Sequence, residues 1–137
     1  MLMLMLPYPI STNRYWRTFR NRMVRSKEAM EFKDEVAARA VAAGMELHTG
    51  SVAVTMTLCP PRPQDWMKRE KREPLWELGV RRIDLDNAQK VALDALQGIA
   101  YENDRQITSL SIGLGQPIED GGLIVTVEDD LLWKEAV

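Results

Sequence analysis

The chain has 137 residues, 45% of them hydrophobic and 28% charged, a balance typical of one compact globular domain over residues 1–137. Its single cysteine, Cys59, excludes an internal disulfide and a cysteine-rich zinc site. Because the chain also has only one histidine, His48, any metal site must be built mainly from carboxylates, which favour Mg²⁺ or Mn²⁺. The formal net charge of −2 conceals an asymmetry: residues 1–82 hold 15 basic and 9 acidic side chains and residues 84–137 hold 3 and 11, which can indicate a polyanionic partner for the basic part.

The opening stretch "MLMLMLPYP" is apolar but reaches a proline, Pro7, after six residues. It has no basic leader and no cleavage-site pattern, and it is too short to span a bilayer. We therefore predict a buried first strand over residues 2–6, in a cytoplasmic protein without a membrane partner. The alternation of Met and Leu indicates core packing.

A basic segment follows at residues 14–27, "RYWRTFRNRMVRSK", with six basic residues, three aromatic ones and no acidic one. Ser26 is a good N-cap, and it predicts a helix that runs to about Ala43 and is closed by Gly44. Apolar residues recur in this helix at four-residue spacing and predict one buried face, formed by Phe32, Val36 and Ala40.

The remaining elements are predicted from alternation and from breakers. "SVAVTMTL" at 51–58 alternates as a half-buried strand, and "CPPRP" then ends it. Residues 60–79 form a loop or short helical insertion whose own core is Trp66 and Trp76. A helix follows from Asp86 or Asn87 to about Gln97, and the strands "ITSLSIGLG" and "GLIVTV" precede an acidic tail at 128–137. The order β-α-β-insertion-α-β-β predicts an α+β fold, a small mixed sheet with two main helices packed on it.

The stretch "RRIDLDNAQKVALDAL" places two carboxylates, Asp84 and Asp86, where an extended segment enters a helix. Alternate side chains of an extended segment share a face, so both can point at one spot. On the helix, Asp86, Lys90 and Asp94 are four residues apart and form one stripe. A second acidic pair, Glu102 and Asp104, lies in the next connection, which can return Asp104 towards the beginning of the helix.

Three carboxylates and a lysine are what metal-dependent phosphodiester cleavage requires. The carboxylates would hold one or two divalent ions, and the ammonium would stabilise the negative charge that develops on the phosphate. The plainer interpretation is that Asp86 is only a helix N-cap and that Asp86–Lys90 is a solvated ion pair. Spacing alone does not decide between them.

Two blocks of sequence resemble one family. "DLDNAQKVALDAL", followed after a short gap by "ND", together with "LPYPISTNRYWR" near the beginning, is similar to the RusA family of Holliday-junction resolvases of bacteria and their prophages. The resemblance implies a homodimeric endodeoxyribonuclease that uses Mg²⁺, with Mn²⁺ as a substitute, and that resolves four-way DNA junctions by paired nicks in DNA recombination and repair. Carried over by position, it implies that Asp84, Asp86 and Asp104 bind the metal and are catalytic, and that Lys90 is the catalytic lysine.

With the resemblance, DNA binding is favoured over a merely solvated basic face. The candidate DNA contacts are the asparagine and the basic residues of the first block, and the arginine pair before the carboxylates: Asn13, Arg14, Arg17, Arg20, Arg22, Arg25, Lys27, Arg81 and Arg82. The interleaved aromatics Tyr15, Trp16 and Phe19 could stack on a base or wedge at the centre of a junction.

The chain departs from the family pattern at two places. Asn103 stands where the family often has a second acid before Asp104, so Glu102 can share that role. The 60–79 segment is longer than the family's usual connection, and it can add DNA contacts or reshape the dimer. Two other functions stay open: a non-catalytic protein that binds branched DNA, and a prophage interaction protein.

Overall fold

The structure, a computed structural model, describes residues 2–133. A four-stranded sheet carries the helices, and a two-stranded hairpin lies beside it. The elements in chain order are β1 (Met3–Leu6), α1 (Thr12–Tyr15), β2 (Trp16–Phe19), β3 (Arg22–Arg25), α2 (Lys27–Ala42), β4 (Val52–Cys59), α3 (Trp66–Arg72), α4 (Leu85–Leu96), β5 (Ile107–Leu114) and β6 (Gly122–Asp129), with short 3₁₀ turns at Trp76–Gly79 and Asp104–Gln106.

The strand order in the main sheet is β1-β6-β4-β5. β4 and β5 run parallel and are joined through α4, whereas β6 is antiparallel to both of its neighbours, β1 and β4. The predicted mixed sheet and the α+β class are therefore confirmed. Because β4 and β5 are parallel and α4 connects them, α4 must run back in the opposite direction, from the ends of these strands to their beginnings.

Helix α2 forms as its sequence predicts. The Ser26 side chain accepts a hydrogen bond of 3.0 Å from the amide of Ala29, and Gly44 ends the helix with a φ of +80°. Its buried face consists of Ala29, Phe32, Val36 and Ala40, and it packs in the same core as the apolar face of α4.

The strand patterns are confirmed for the centre of the sheet and are wrong in part for its edges. In β4, Val52, Val54, Met56 and Leu58 are buried, as the alternation predicts. In β1 the two leucines are buried, but Met3 and Met5 are 64% and 43% exposed, because alternate side chains point to opposite faces of the sheet and the face with the methionines is open to solvent. The alternation of Met and Leu therefore marks two faces and not continuous core packing.

The basic segment, for which the sequence predicted no elements, contains α1 and the hairpin of β2 and β3. The hairpin turns at Arg20 and Asn21, which both have positive φ, at 50° and 62°. Positive φ at both central residues is the geometry of a type I′ turn, the turn that fits the twist of antiparallel strands. Asparagine adopts it readily, whereas arginine does not, so "RN" is a weak signal.

The 60–79 segment is helical in part, as predicted, and consists of α3 and the 3₁₀ turn after it. Its two tryptophans pack together with ring centroids 6.3 Å apart, and Trp76 is buried. At the other end of the chain, Glu128 and Asp129 belong to β6 and not to the predicted tail, and residues 134–137 of that tail lie outside the described residues. None of the described helices is both long enough and apolar enough to cross a membrane.

Candidate active site

The two carboxylates of the "DLD" motif lie at the beginning of α4. Asp84 is the N-cap residue, with an extended backbone, and its side chain makes no capping hydrogen bond; Asp86 is in the first helical turn. Both side chains are exposed, and neither forms an ion pair within residues 2–133. Asp86 is thus helical rather than extended, and Asp84 takes the cap position predicted for Asp86. The two carboxylates still stand together at the positive end of the helix dipole.

Two contacts with the N-terminal block fix this helix start. The hydroxyl of Tyr8 accepts a hydrogen bond of 2.7 Å from the amide of Ile83, directly before Asp84. The side-chain oxygen of Asn87 accepts hydrogen bonds from the amide (3.1 Å) and the hydroxyl of Thr12. Sequence reasoning missed Asn87 as a positioning residue. Asn87 belongs to one of the two blocks that resemble the family and Thr12 to the other, but only the fold shows that one block holds the other.

Lys90 is exposed on α4 one turn after Asp86, as the stripe predicts. The plainer interpretation required an Asp86–Lys90 ion pair, and the part of the chain that the structure describes forms none. The ammonium is therefore available to a ligand at the beginning of α4.

Asp94, the third member of the stripe, is paired with residues of the basic segment. Arg25 donates to it from Nε (2.7 Å) and from Nη2 (2.8 Å), and the hydroxyl of Tyr15 also donates to it. Burial raises the pKa of the Asp94 carboxyl, but the hydrogen bonds from Arg25 and Tyr15 outweigh burial and hold that pKa below its usual value. Burial and the neighbouring carboxylate together raise the pKa of Tyr15. Asp94 thus anchors the base of the hairpin, and Arg25, one of the candidate DNA contacts, is held in that anchor.

Asp104 lies at the opposite end of α4 from Asp84 and Asp86. It begins the 3₁₀ turn Asp104–Gln106, which directly precedes β5, and Gln106 of this turn donates to the carbonyl of Gly50 (2.9 Å), just before β4. Since α4 has 12 residues, the two ends are about 18 Å apart. Burial, followed by the charges of Asp104 and Asp94, raises the pKa of Tyr101 at this far end. The expectation that the connection returns Asp104 to the beginning of the helix is therefore wrong for a single chain.

In agreement with this topology, no group of three or more His, Cys, Asp and Glu side chains within residues 2–133 is placed to hold a metal ion. Glu102 and Asp104 are both exposed. His48 pairs with Asp129 at 2.9 Å, and Cys59 is buried, with its thiol pKa raised by burial.

The predicted DNA contacts fall into two surfaces. Arg17, Arg20 and Arg22 are exposed on the hairpin, where the guanidinium groups of Arg17 and Arg20 lie 5.6 Å and 5.2 Å from the centre of the exposed Phe19 ring. Lys27 and Asn13 are exposed nearby, whereas Tyr15 is buried and Trp16 half-buried, so neither is free to wedge into DNA.

The second surface is a cavity of about 800 Å³ whose lining includes Ile83, the residue directly before Asp84. Its arginines are Arg14, Arg62, Arg69, Arg81 and Arg82, and the residues that line it include no Asp or Glu. We call it the arginine cleft. It places positive charge directly beside the exposed carboxylates of α4.

The family model for the endodeoxyribonuclease RusA matches residues 7–128, and the chain belongs to this family. A search of curated proteins found no match. Membership implies an endodeoxyribonuclease that acts on Holliday junctions, with branched DNA as its partner.

Proposed function

We propose that this RusA-family protein is a Mg²⁺-dependent homodimeric nuclease that resolves four-way DNA junctions by paired nicks in strands of like polarity, in DNA recombination and repair. The observation that carries the proposal is at the beginning of α4. Asp84, Asp86 and Lys90 are all exposed there, without ion-pair partners among the described residues, and the arginine cleft lies beside them.

The chemistry of the two aspartates fits a hard divalent ion. Mg²⁺ is usually bound by one or two carboxylates and keeps several of its waters. Asp84 and Asp86 offer such a site, because both are exposed and the Asp84 side chain makes no capping hydrogen bond. Asp84 and Asp86 would hold the ion, and Mn²⁺ would substitute for it. A bound ion of this kind supplies charge neutralisation at the phosphate and activation of water.

The other residues of the site act on the phosphate itself. Lys90, one helical turn from Asp86, places an ammonium where the transition state of phosphodiester cleavage gains negative charge. Arg81 and Arg82 precede the carboxylates and hold the flanking phosphates, and this fixes the strand relative to Asp84. The exposed arginines of the hairpin add contacts further from the cut.

The third carboxylate enters from the second subunit. Asp104 follows the end of α4 opposite to Asp84, and no group of three acids within residues 2–133 is placed to hold a metal ion, so it can share an ion only with the carboxylates of another chain. A two-fold axis that brings Asp104 of each subunit to the α4 start of the other would build two equivalent composite sites, as paired nicks in a two-fold junction require. Glu102, next to the same turn, would assist Asp104.

Cleavage of a labelled four-way junction in Mg²⁺ tests the proposal. We expect the wild type to make symmetric paired nicks, and Asp84→Asn and Lys90→Ala to lose at least about a hundredfold in rate while junction binding persists. A linear duplex of the same sequence is the control and should not be cut. Binding without cutting in both Mg²⁺ and Mn²⁺ would identify a non-catalytic branched-DNA binder, and absence of binding would leave only an interaction protein.

A further inference from the structure

The 60–79 segment forms one wall of the arginine cleft. Arg62 and Arg69 come from this segment and face the same cavity as Arg81 and Arg82. Five arginines and no acidic residue line about 800 Å³, so the cavity is positively charged even though two of the arginines are paired with carboxylates outside it. A surface with this composition favours the binding of a polyanion.

The wall is a fixed part of the fold. The amide of Arg62 donates to the carbonyl of Ile118 (2.7 Å), and the amide of Ile118 donates to Pro60 (3.0 Å), which fastens the beginning of the segment to the connection before β6. The guanidinium of Arg62 lies 4.4 Å from the centre of the Trp66 ring, and Trp66 packs on the buried Trp76. The cationic group of Arg62 is thus held by a rigid aromatic pair.

The arginines keep donors for a ligand although two of them are paired. Arg69 is bound to Asp65 through Nε alone (2.9 Å), and Arg14 is bound to Glu28 through one nitrogen. A guanidinium carries five N–H donors, so each of these can still bind a phosphate oxygen. Arg62 and Arg81 form no ion pair within residues 2–133.

We propose that the arginine cleft binds the sugar–phosphate backbone of one junction strand next to the phosphate that is cut, and that Arg62 and Arg69 are the contacts contributed by the 60–79 segment. Arg81, Arg82 and Ile83 line the cleft and directly precede Asp84 in the chain, so a strand bound in the cleft lies beside the beginning of α4. Backbone contacts of this kind fix the register of the strand and carry no sequence information. The inference rests on the proposed function, and it assigns the segment to DNA contact and not to the dimer.

Junction binding by charge variants tests it, in an Asp84→Asn background that prevents cleavage. The test variant is Arg62→Gln with Arg69→Gln. The matched control is Lys68→Gln with Lys71→Gln, which removes the same charge from exposed positions of α3 outside the cleft. We expect the test variant to bind a four-way junction about tenfold more weakly and to lower the slope of log K against log salt by about 2, with the control unchanged.

A second arm locates the contact on the DNA. Neutral methylphosphonates placed within a few nucleotides of the cut should weaken binding of the Asp84→Asn protein, and they should cause no additional loss with the Arg62→Gln/Arg69→Gln variant. Replacing both arginines by lysine should retain most of the salt slope, and this separates lost charge from a disturbed fold.

Three results would overturn the inference: equal losses in test and control variants, no change in the salt slope, or additive effects of methylphosphonate and variant. In each of them the wild type would still bind and cut junctions, so the proposed function would stand. Failure of the Asp84→Asn protein to bind any junction would remove both proposals together.

Discussion

Mixed dimers of two inactive variants test whether each active site is built from two chains. In the proposed homodimer, Asp84→Asn and Asp104→Asn are each inactive, because every site lacks one carboxylate. A dimer that contains one chain of each kind has one site with both defects and one site with none. Mixing the two inactive proteins should therefore restore cleavage.

The structure sets both the reason and the size of the effect. Helix α4 is about 18 Å long, Asp84 caps its beginning and Asp104 follows its other end, and no group of three acids within residues 2–133 is placed to hold a metal ion. Since Mg²⁺ binds oxygen at about 2.1 Å, we expect that the two residues do not share an ion within one chain. Random exchange of subunits gives about half mixed dimers, each with one intact site of two. Nicking should recover to about a quarter of the wild-type rate per site.

The assay follows nicks in a labelled four-way junction after the two variants have been unfolded and refolded together. Mixed dimers should produce single nicks, not the paired ones of the wild type. A mixture of Asp84→Asn and Asp86→Asn is the control: both residues lie at the same end of α4, so no arrangement of subunits gives an intact site. Restoration in the control, or none in the test mixture, would refute the composite site.

Three further results are expected. Asp94→Asn should lower the free energy of unfolding by about 2 kcal/mol at pH 7 in urea titrations, because it weakens the paired hydrogen bonds from Arg25. Since the pairing lowers the pKa of Asp94, this contribution is present above the ordinary pKa of the carboxyl and is lost as the pH falls through the lowered pKa. The difference between the two proteins should therefore shrink in acid, and a constant difference would contradict the ionised pairing. Gly121→Ala should destabilise the fold by about 1–3 kcal/mol and slow junction cleavage, because Gly121 has a φ of +71° and an added Cβ would lie 2.9 Å from Tyr8. The control is Gly113→Ala, whose added Cβ would have no atom within 4 Å and should leave cleavage unchanged.

Local signals were enough for the elements that carry the core. The Ser26 cap and the four-residue spacing after it placed α2 within about one residue, and the alternation in β4 predicted its buried face. In both cases neighbours in sequence supply the stabilising contacts. The burial of the methionines in β1 could not be predicted in this way, because no local feature distinguishes an exposed Met from a buried one.

The arrangement of the site depends on long-range contacts that local sequence patterns do not predict. The position of Asp104 follows from the parallel pairing of β4 with β5, a long-range choice that forces α4 to run backwards. The anchor between Arg25 and Asp94 joins residues 69 positions apart. No local pattern predicts this pairing: the sequence places Arg25 among the DNA contacts and Asp94 on the stripe with Asp86 and Lys90.

The charge asymmetry of the chain acquires a physical meaning in the fold. In the proposed function, the exposed carboxylates at the beginning of α4 would repel the phosphates of an approaching strand, and this repulsion would be strongest before an ion is bound. The arginine cleft opposes it at the same place, because Arg81 and Arg82 precede Asp84 directly and the 60–79 segment adds two more arginines. In the proposed function, the basic first part of the chain therefore offsets the acidic second part at the place where a strand of DNA would be cut.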